Sequence, residues 1–193
     1  MAEFEITVRE AEPTDAIGLA RVQVETWRDA YVGVLSDDAL IDLDEMQAAV
    51  RWTRMMGSIA APERLAVADH DGQVVGFAHG GASRRAVAKA LRWDGAVGVG
   101  EIYALYVDPN YQGAGIGRAL LGDVARRLAT HGFDALAILT LEKNRHGRRF
   151  YEALGGAAGD TVPSVVGGLP ADQIPYFWPD LSHLVQSIET ATG

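Results

Sequence analysis

Hydrophobic positions in the first part of the chain alternate over one short segment and then recur with helical spacing. Phe4, Ile6 and Val8 are separated by polar residues, which is the period of a half-buried strand. The residues Pro13–Asp15 combine a turn signal with a helix start. The segment that follows predicts a first helix, because its apolar residues recur every three or four positions: Ile17, Leu19, Ala20, Val24, Trp27 and Tyr31.

The next pattern predicts two more helices and then a hairpin. Ser36-Asp37-Asp38 opens a short helix, and Asp44 is a candidate N-cap for another. That third helix contains four apolar residues: Met46, Val50, Trp52 and Met56. Two apolar runs, Leu65 to Ala68 and Val74 to His79, flank Asp71-Gly72, a strong turn signal for a β-hairpin.

The second half of the chain alternates apolar strands with amphipathic helices. A strand over Ile102 to Val107 ends at the turn residues Asp108-Pro109-Asn110. The elements expected after it are a helix from Gly115, a strand over 135–141, a helix over 144–154 stopped by two glycines, and weaker strands over 162–166 and 174–178 before a short tail. Residues 83–95 fit a helical turn or a loop equally well. The pattern predicts one α/β domain over residues 1–193, with antiparallel pairing early and a strand–helix–strand–helix unit later.

The net charge of the chain limits which classes of ligand it is expected to bind. The chain has 193 residues and a formal net charge of −9, with a pI of about 4.9. This balance argues against broad nucleic-acid binding, which needs a basic face. It is compatible with a cationic ligand, which an acidic cleft attracts, and equally with solubility alone.

The cysteine and histidine content limits the catalytic and metal chemistry available to the chain. The length of its apolar runs bears on whether it can cross a membrane. The chain has no cysteine, so it has no thiolate nucleophile, and its five histidines show no metal-ligand spacing. We therefore expect no metal. No apolar run reaches the roughly 18 residues of a membrane helix, and the acidic, alternating N-terminus does not resemble a signal peptide. We expect a cytoplasmic protein that binds neither nucleic acid nor membrane.

The stretch YQGAGIGR, residues 111–118, places three glycines after the predicted strand, at the start of the next helix. A turn that opens a helix leaves several backbone N–H groups unpaired at the positive end of the helix dipole. Such a turn binds phosphate if the backbone can approach closely, which glycine permits. Gly113, Gly115 and Gly117 therefore predict a phosphate site with Arg118 at its rim. The alternative is a glycine-rich turn that serves only helix packing.

Known nucleotide motifs do not fit this stretch, whereas one family does. The spacing G-x-G-x-G is neither the dinucleotide-binding G-x-G-x-x-G nor a P-loop. Residues 100–121, GEIYALYVDPNYQGAGIGRALL, resemble the GNAT family of N-acetyltransferases, because Gln112 to Gly117 fits its hallmark Q/R-x-x-G-x-G/A. Residues 144–156, NRHGRRFYEALGG, resemble its second signature. Upstream, Trp27, Ala30, Tyr31, Gly33 and Leu35 resemble a W-x-x-A-Y-x-G-x-L pattern of some bacterial members.

This resemblance implies a fold and a co-substrate. The fold would be a mixed, mostly antiparallel sheet of about seven strands flanked by helices, with a splayed strand cleft for acetyl-CoA. The pyrophosphate would lie on the turn, and the pantetheine arm would pair along the preceding strand like an added strand. The implied cofactor-binding residues are Leu105, Tyr106, Val107, Gln112, Gly113, Ala114, Gly115, Ile116, Gly117, Arg118 and Asn144.

Acetyl transfer to an amine requires a neutral amine, donors for the oxyanion and departure of the thiolate, for which an acid is useful but not decisive. The resemblance implies that Glu101, six residues before Val107, is the base. The alternative is a solvated or salt-bridged strand glutamate. Tyr151 matches the family tyrosine that can point at the CoA sulfur, and the alternative is a core aromatic. Trp27 and Tyr31, four apart, are candidates for a wall of the acceptor pocket, or for ordinary helix packing.

The sequence predicts an acetyl-CoA-dependent N-acetyltransferase that acts by direct attack in a ternary complex. Its acceptor is a primary amine on a small molecule or peptide. The acidic residues Asp37, Asp38, Asp42 and Asp44 lie where the family often builds its acceptor site, although a solvated helix face explains them too. A non-catalytic acyl-CoA-binding regulatory or sensing domain is the alternative function. The resemblance also leaves a homodimer open.

Overall fold

The computed structural model describes residues 5–30, 43–84, 87, 98–166 and 169–190. They fall into two compact units. The first is drawn from Met1–His79 and Ala104–Val124, and the second from Gly80–Tyr103 and Ala125–Gly193. Two strands and one helix continue from one unit into the other.

The first unit contains the N-terminal helices and an antiparallel edge of the sheet. Its elements are β1 (Thr7–Glu10), a 3₁₀ turn (Pro13–Asp15), α1 (Ala16–Ala30), α2 (Glu45–Met56), β2 (Arg64–His70), most of β3 (Gln73–Ala82), the end of β4 (Gly98–Val107), a second 3₁₀ turn (Pro109–Tyr111) and the start of α3 (Ile116–Thr130). The predicted short helix at Ser36–Asp38 and most of residues 83–95 lie outside the described residues.

Local signals explain where several of these elements begin. The Asp44 side chain accepts a hydrogen bond from the Gln47 N–H at 3.0 Å, so it caps α2 as predicted. Asp71 and Gly72 have φ values of 51° and 80°, which match the two-residue turn of a tight hairpin between β2 and β3. In this unit α1, α2 and the strands share one apolar core, with Leu19, Trp52 and Phe77 at its centre.

The second unit contains the rest of the sheet and two C-terminal helices. Its further elements are β5 (Phe133–Leu141), α4 (Arg145–Ala153), β6 (Ala157–Ala158), β7 (Val162–Val166), β8 (Leu169–Trp178) and α5 (Leu181–Thr190). Its own core cluster contains Val87, Val99, Ala135 and Ala137. The predicted strands and the α4 helix are confirmed, and Asn144 caps α4 as its last non-helical residue.

The strands form one mixed, mostly antiparallel sheet in the order β1-β2-β3-β4-β5-β8-β6, with β7 also paired to β8. β4 and β5 are parallel, and their pairs run from Gly98–Phe133 to Ile102–Ile138. β4 then continues to Val107, beyond the last pair. The predicted fold class, α/β with a mixed, mostly antiparallel sheet of about seven strands, is confirmed, since the described residues contain an eight-stranded sheet.

One prediction is wrong: the C-terminal tail is a helix. Leu181, Leu184 and Ile188 are buried along one face of α5, and the carboxylate of Asp180 accepts from the His183 N–H at 2.9 Å. Both the helical spacing and the capping aspartate are present in the sequence. The short strand β6 was also not predicted, because two alanines carry no strand pattern. No helix within the described ranges is long and apolar enough to cross a membrane.

Candidate active site

The turn between β4 and α3 begins at a buried carboxylate. Asp108 is 2% exposed, and its Oδ1 accepts hydrogen bonds from the backbone N–H of Asn110 at 3.0 Å and from the Asn110 side chain at 3.1 Å. Its own N–H donates to the carbonyl of Val75 on β3 at 2.9 Å. The turn is therefore shaped by one aspartate that is fixed on the sheet. We call residues Asp108–Ile116 the phosphate turn.

Two of the three glycines in this stretch adopt a backbone conformation that favours glycine. Gly113 and Gly115 have φ values of 79° and 81°, where other residues are strained. A methyl group on either Cα would meet no atom of the protein within 4 Å. The space beside both glycines is open, which is the condition for a phosphate to approach the backbone.

The first turn of α3 supplies donors at this position. The N–H of Ala119 makes the first helical hydrogen bond, to the carbonyl of Gly115 at 3.1 Å. The N–H groups that precede Ala119 in the helix therefore lack intrahelical acceptors and lie at the positive end of the helix dipole. Positive φ, open space and these N–H groups together meet the geometric conditions for binding a phosphate group.

The end of β4 is held by side chains of its own unit. The carbonyl of Val107 accepts hydrogen bonds from Gln112 Nε2 at 3.1 Å and from Thr26 Oγ1 at 3.4 Å. The predicted cofactor residue Gln112 thus uses its side chain to close the turn on the strand. Leu105, Tyr106 and Val107 are half-buried.

Arg21 on α1 connects the helix to the phosphate turn. Its Nη1 lies 2.7 Å from Asp108 Oδ2 and 2.7 Å from Glu25 Oε2, and its Nη2 donates to the Val74 carbonyl at 2.7 Å. Burial raises the pKa of Asp108, but hydrogen bonds from Arg21 and Asn110 outweigh it and hold that pKa below its usual value. Burial, and then the charge of Asp108, raise the pKa of Glu25 despite Arg21.

The predicted pocket residue Trp27 lies close to Tyr106 near the end of β4. Burial raises the pKa of the Tyr106 hydroxyl, and hydrogen bonding by the Trp27 indole lowers it by less. Tyr106 also packs edge-on against Phe77, with ring centroids 5.3 Å apart. Trp27 is therefore within reach of one predicted cofactor residue, and its substrate role stays a prediction. Tyr31 and three of the four acidic residues lie outside the described residues, and the fourth, Asp44, caps α2.

Glu101 is buried in an ion pair. The side chain is fully inaccessible to solvent, and its Oε2 accepts from the backbone N–H of Arg84 at 2.8 Å. Its Oε1 accepts from Arg84 Nε at 2.8 Å and also pairs with Nη2 of the same guanidinium. Arg84 itself is 60% exposed and lies over the Tyr103 ring, 5.2 Å from its centroid. In this structure Glu101 is therefore the salt-bridged glutamate that was the alternative at the level of the sequence. To act as a base, it would need Arg84 to release one of its carboxylate oxygens.

Tyr151 on α4 is buried among aromatic rings. Its ring centroid lies 5.5 Å from Tyr176 and 6.2 Å from Trp178. The Tyr176 hydroxyl donates to Glu152 Oε1 at 2.6 Å, and Trp178 Nε1 donates to the Leu154 carbonyl at 2.8 Å. These bonds fix the rings that surround Tyr151. Such packing suits both predicted roles, because a core aromatic and an oriented acid need the same rigid environment.

Asn144 performs a structural task at the start of α4. Its Oδ1 accepts from the Gly147 N–H at 2.9 Å and caps the helix. Its predicted contact with the cofactor stays a prediction. Within each unit the structure groups part of the predicted set: the phosphate turn, residues 105–107 and Trp27 in the first, and Glu101, Asn144 and Tyr151 in the second.

Sequence reasoning missed three charged residues. Arg21 and Arg84 were not singled out, and Asp108 was noted only as a turn residue. Asp108 carried a signal, since Asp-Pro-Asn is a capping pattern, whereas the arginines carried none. Among the residues that the structure describes, no cluster of three histidines or acidic residues could hold a metal ion.

Comparison with known proteins gives a consistent result. The sequence profile described as "Acetyltransferase (GNAT) family" matches residues 20–156. An uncharacterized N-acetyltransferase, YuaI of Bacillus subtilis, is 31% identical over 180 residues, which cover 93% of this chain and 96% of that protein. An aminoglycoside N(6')-acetyltransferase type 1 of Stenotrophomonas maltophilia is 32% identical over 123 residues, 61% of this chain and 64% of that protein.

The solved structures agree on the fold. The PaiA N-acetyltransferase of Thermoplasma acidophilum, solved in complex with coenzyme A, superposes with a TM-score of 0.66. The two chains are 19% identical, and the match covers 90% of this chain and 99% of that one. At this identity the likeness concerns the fold alone.

Proposed function

Because the chain belongs to the acetyltransferase (GNAT) family, we propose that it transfers the acetyl group of acetyl-CoA to a primary amine by direct attack in a ternary complex. The observation that carries this proposal is the phosphate turn. Gly113 and Gly115 hold positive φ with open space beside them, directly before the N-terminus of α3.

The phosphate turn and the first residues of α3 would hold the diphosphate of acetyl-CoA through backbone N–H groups of residues 112–118, with Arg118 adding positive charge. Residues 105–107 would pair with the pantetheine arm, and the Val107 N–H would be a donor for the oxyanion. The Val107 carbonyl already accepts from Gln112 and Thr26. Pairing at this residue would therefore use its N–H rather than its carbonyl.

The chemistry needs a route for two protons. A lysine-like amine has a pKa near about 10.4, so a base helps to deliver it neutral at pH 7. The leaving thiol has a pKa near about 8.5, and a tyrosine with a pKa near about 10 remains protonated and can donate to it. We propose that Tyr151 is this acid and that Glu101 is the base.

The base role of Glu101 depends on Arg84. Both carboxylate oxygens accept hydrogen bonds from Arg84, but most of the arginine side chain is exposed to solvent. The guanidinium can therefore turn outward while the backbone N–H keeps its bond to Oε2. That movement would free Oε1 to take the proton directly or through water.

A Glu101→Gln variant tests this role, and it is expected to lower kcat by about 100-fold, the low end of the range for general base catalysis. An Arg84→Met variant is the matched comparison, since it breaks the same pair but keeps the carboxylate, and it should retain most of kcat. Equal kcat values in wild type and Glu101→Gln would leave Glu101 as a structural ion-pair partner only.

The acceptor is proposed to be a cationic small molecule or peptide amine. The net charge of −9 favours attraction of a cation. One relative carries the name of an aminoglycoside acetyltransferase, and aminoglycosides are polyamines. A second candidate function, an acyl-CoA-binding domain without transferase activity, is supported by the occupied carboxylate of Glu101.

Titration calorimetry with acetyl-CoA and with CoA, followed by an amine panel assayed for free thiol release, tests the proposal. We expect micromolar binding of both ligands and turnover with at least one polyamine. Binding of both ligands with no turnover on a panel of aminoglycosides, polyamines, amino acids and peptides would favour the acyl-CoA-binding domain. If neither ligand bound, the proposal that the phosphate turn binds coenzyme A would be wrong.

A further inference from the structure

We propose that Arg21 is a positioning residue for acetyl-CoA: it neutralises Asp108 and thereby keeps the phosphate turn able to accept a diphosphate. This inference rests on the proposed function, since it concerns the same turn. Arg21 belongs to α1, far from the glycine motif in sequence, and nothing in the motif indicates it. Its effect would reach the ligand through Asp108.

The Arg21 guanidinium is fixed from three sides. It contacts the carboxylates of Glu25 and Asp108 at 2.7 Å each, and it donates to the Val74 carbonyl at 2.7 Å. Val74 lies on β3, next to the residue whose carbonyl accepts the Asp108 N–H. Helix α1, strand β3 and the phosphate turn are thus held together at one guanidinium.

The two carboxylate oxygens of Asp108 accept hydrogen bonds from different donors. Oδ1 accepts from the Asn110 N–H and sets the first bend of the turn, while Oδ2 accepts from Arg21. Loss of Arg21 would leave Oδ2 as a buried, uncompensated negative charge, which is costly. The carboxylate would then compete for other donors, and Asn110 of the turn already donates to it through its N–H and its side chain.

Loss of Arg21 would also weaken binding of the diphosphate by electrostatic repulsion. Asp108 caps the start of the phosphate turn, so an unpaired carboxylate would add one negative charge to the segment whose N–H groups would receive the diphosphate. Like charges repel, and because Asp108 is buried, solvent ions would screen this repulsion less than one between two exposed charges. Arg21 should therefore matter for the diphosphate of CoA and not for the part of the co-substrate that lacks phosphate.

The test compares Arg21→Met with wild type on two probes, CoA itself and the acetyl thioester of pantetheine, which lacks the diphosphate and the nucleotide. We expect the Kd of CoA to rise by about 10- to 100-fold, the range for a lost hydrogen bond to a charged group. The kcat/KM for the acetyl-pantetheine should stay within about twofold of wild type, within the error of additivity for independent sites. Arg21→Lys should restore part of the CoA affinity.

A matched control breaks a similar pair elsewhere in the same unit. Arg9 contacts the buried Asp15 at 2.8 Å, and Asp15 accepts from the Glu12 N–H in the 3₁₀ turn before α1. Arg9→Met and Arg21→Met should both lower the melting temperature, but Arg9→Met should leave the Kd of CoA unchanged. This control separates general destabilisation from an effect on the phosphate turn.

The double variant Arg21→Met/Asp108→Asn tests the charge argument and covers the case in which Arg21→Met fails to fold. Asparagine keeps an oxygen for the Asn110 N–H but carries no charge. The double variant should bind CoA more tightly than Arg21→Met, or fold where that variant does not. Wild-type CoA affinity in Arg21→Met, equal losses on both probes, or no recovery in the double variant would each overturn the proposal. Failure of the wild type to bind CoA would instead overturn the proposed function.

Discussion

Replacement of Gly115 by valine is expected to raise the Kd of acetyl-CoA by about 100-fold or more. Gly115 has a φ of 81°, a region in which a β-branched residue is a genuine outlier. Strain of this kind costs about 1–3 kcal/mol. Valine would also fill the open space beside the Cα, where a phosphate would approach. The turn must then change its conformation or exclude the ligand, and calorimetry with acetyl-CoA measures either loss.

Gly132 at the other end of α3 provides the matched control. It has the same φ of 81° and the same open space beside its Cα, so Gly132→Val carries a similar backbone strain. It ends the helix instead of beginning it. We expect a lower melting temperature in both variants but an unchanged Kd in Gly132→Val. Equal affinities of wild type and Gly115→Val would show that the phosphate turn does not bind the diphosphate.

Local signals made most of the fold predictable. The Asp71-Gly72 turn fixed a hairpin because both residues tolerate positive φ, and Asp44 marked the start of α2 because it caps the helix. The glycine after α4 ended that helix at positive φ. The tail helix α5 was not predicted, although Leu181, Leu184 and Ile188 have helical spacing and Asp180 is a capping residue.

The candidate site was predictable only where the backbone itself carries the chemistry. The phosphate turn was visible because its requirement is glycine at specified positions. The charge pairs were not, because Arg21 and Asp108 are 87 residues apart and Arg84 and Glu101 are 17 apart. A carboxylate in a sequence looks the same whether it faces solvent or a guanidinium. Burial and partner therefore had to come from the structure, and they change what Glu101 can do.

The Tyr151→Phe variant is expected to lower kcat by about 100-fold while the Kd of acetyl-CoA stays within about twofold, since positioned acids contribute about 100- to 10,000-fold and this leaving thiol needs little assistance. The ring of Tyr151 is held by Tyr176 and Trp178, and phenylalanine keeps those contacts. The variant therefore removes the proton donor and leaves the packing. Steady-state rates with a saturating amine, together with calorimetry, separate these two quantities.

The control for this variant is the neighbouring Tyr176→Phe, which also removes a hydroxyl from the same aromatic cluster. Its hydroxyl donates to Glu152, and burial followed by that bond raises the pKa of Tyr176 above its usual value. Loss of the Tyr176 hydroxyl should lower the free energy of unfolding by about 1 kcal/mol, and kcat should stay near that of wild type. A wild-type kcat in Tyr151→Phe would assign Tyr151 to the core. A similar kcat loss in both variants would mean that the aromatic cluster affects catalysis through its packing. If Tyr151 is the proton donor, only the removal of its own hydroxyl should lower kcat.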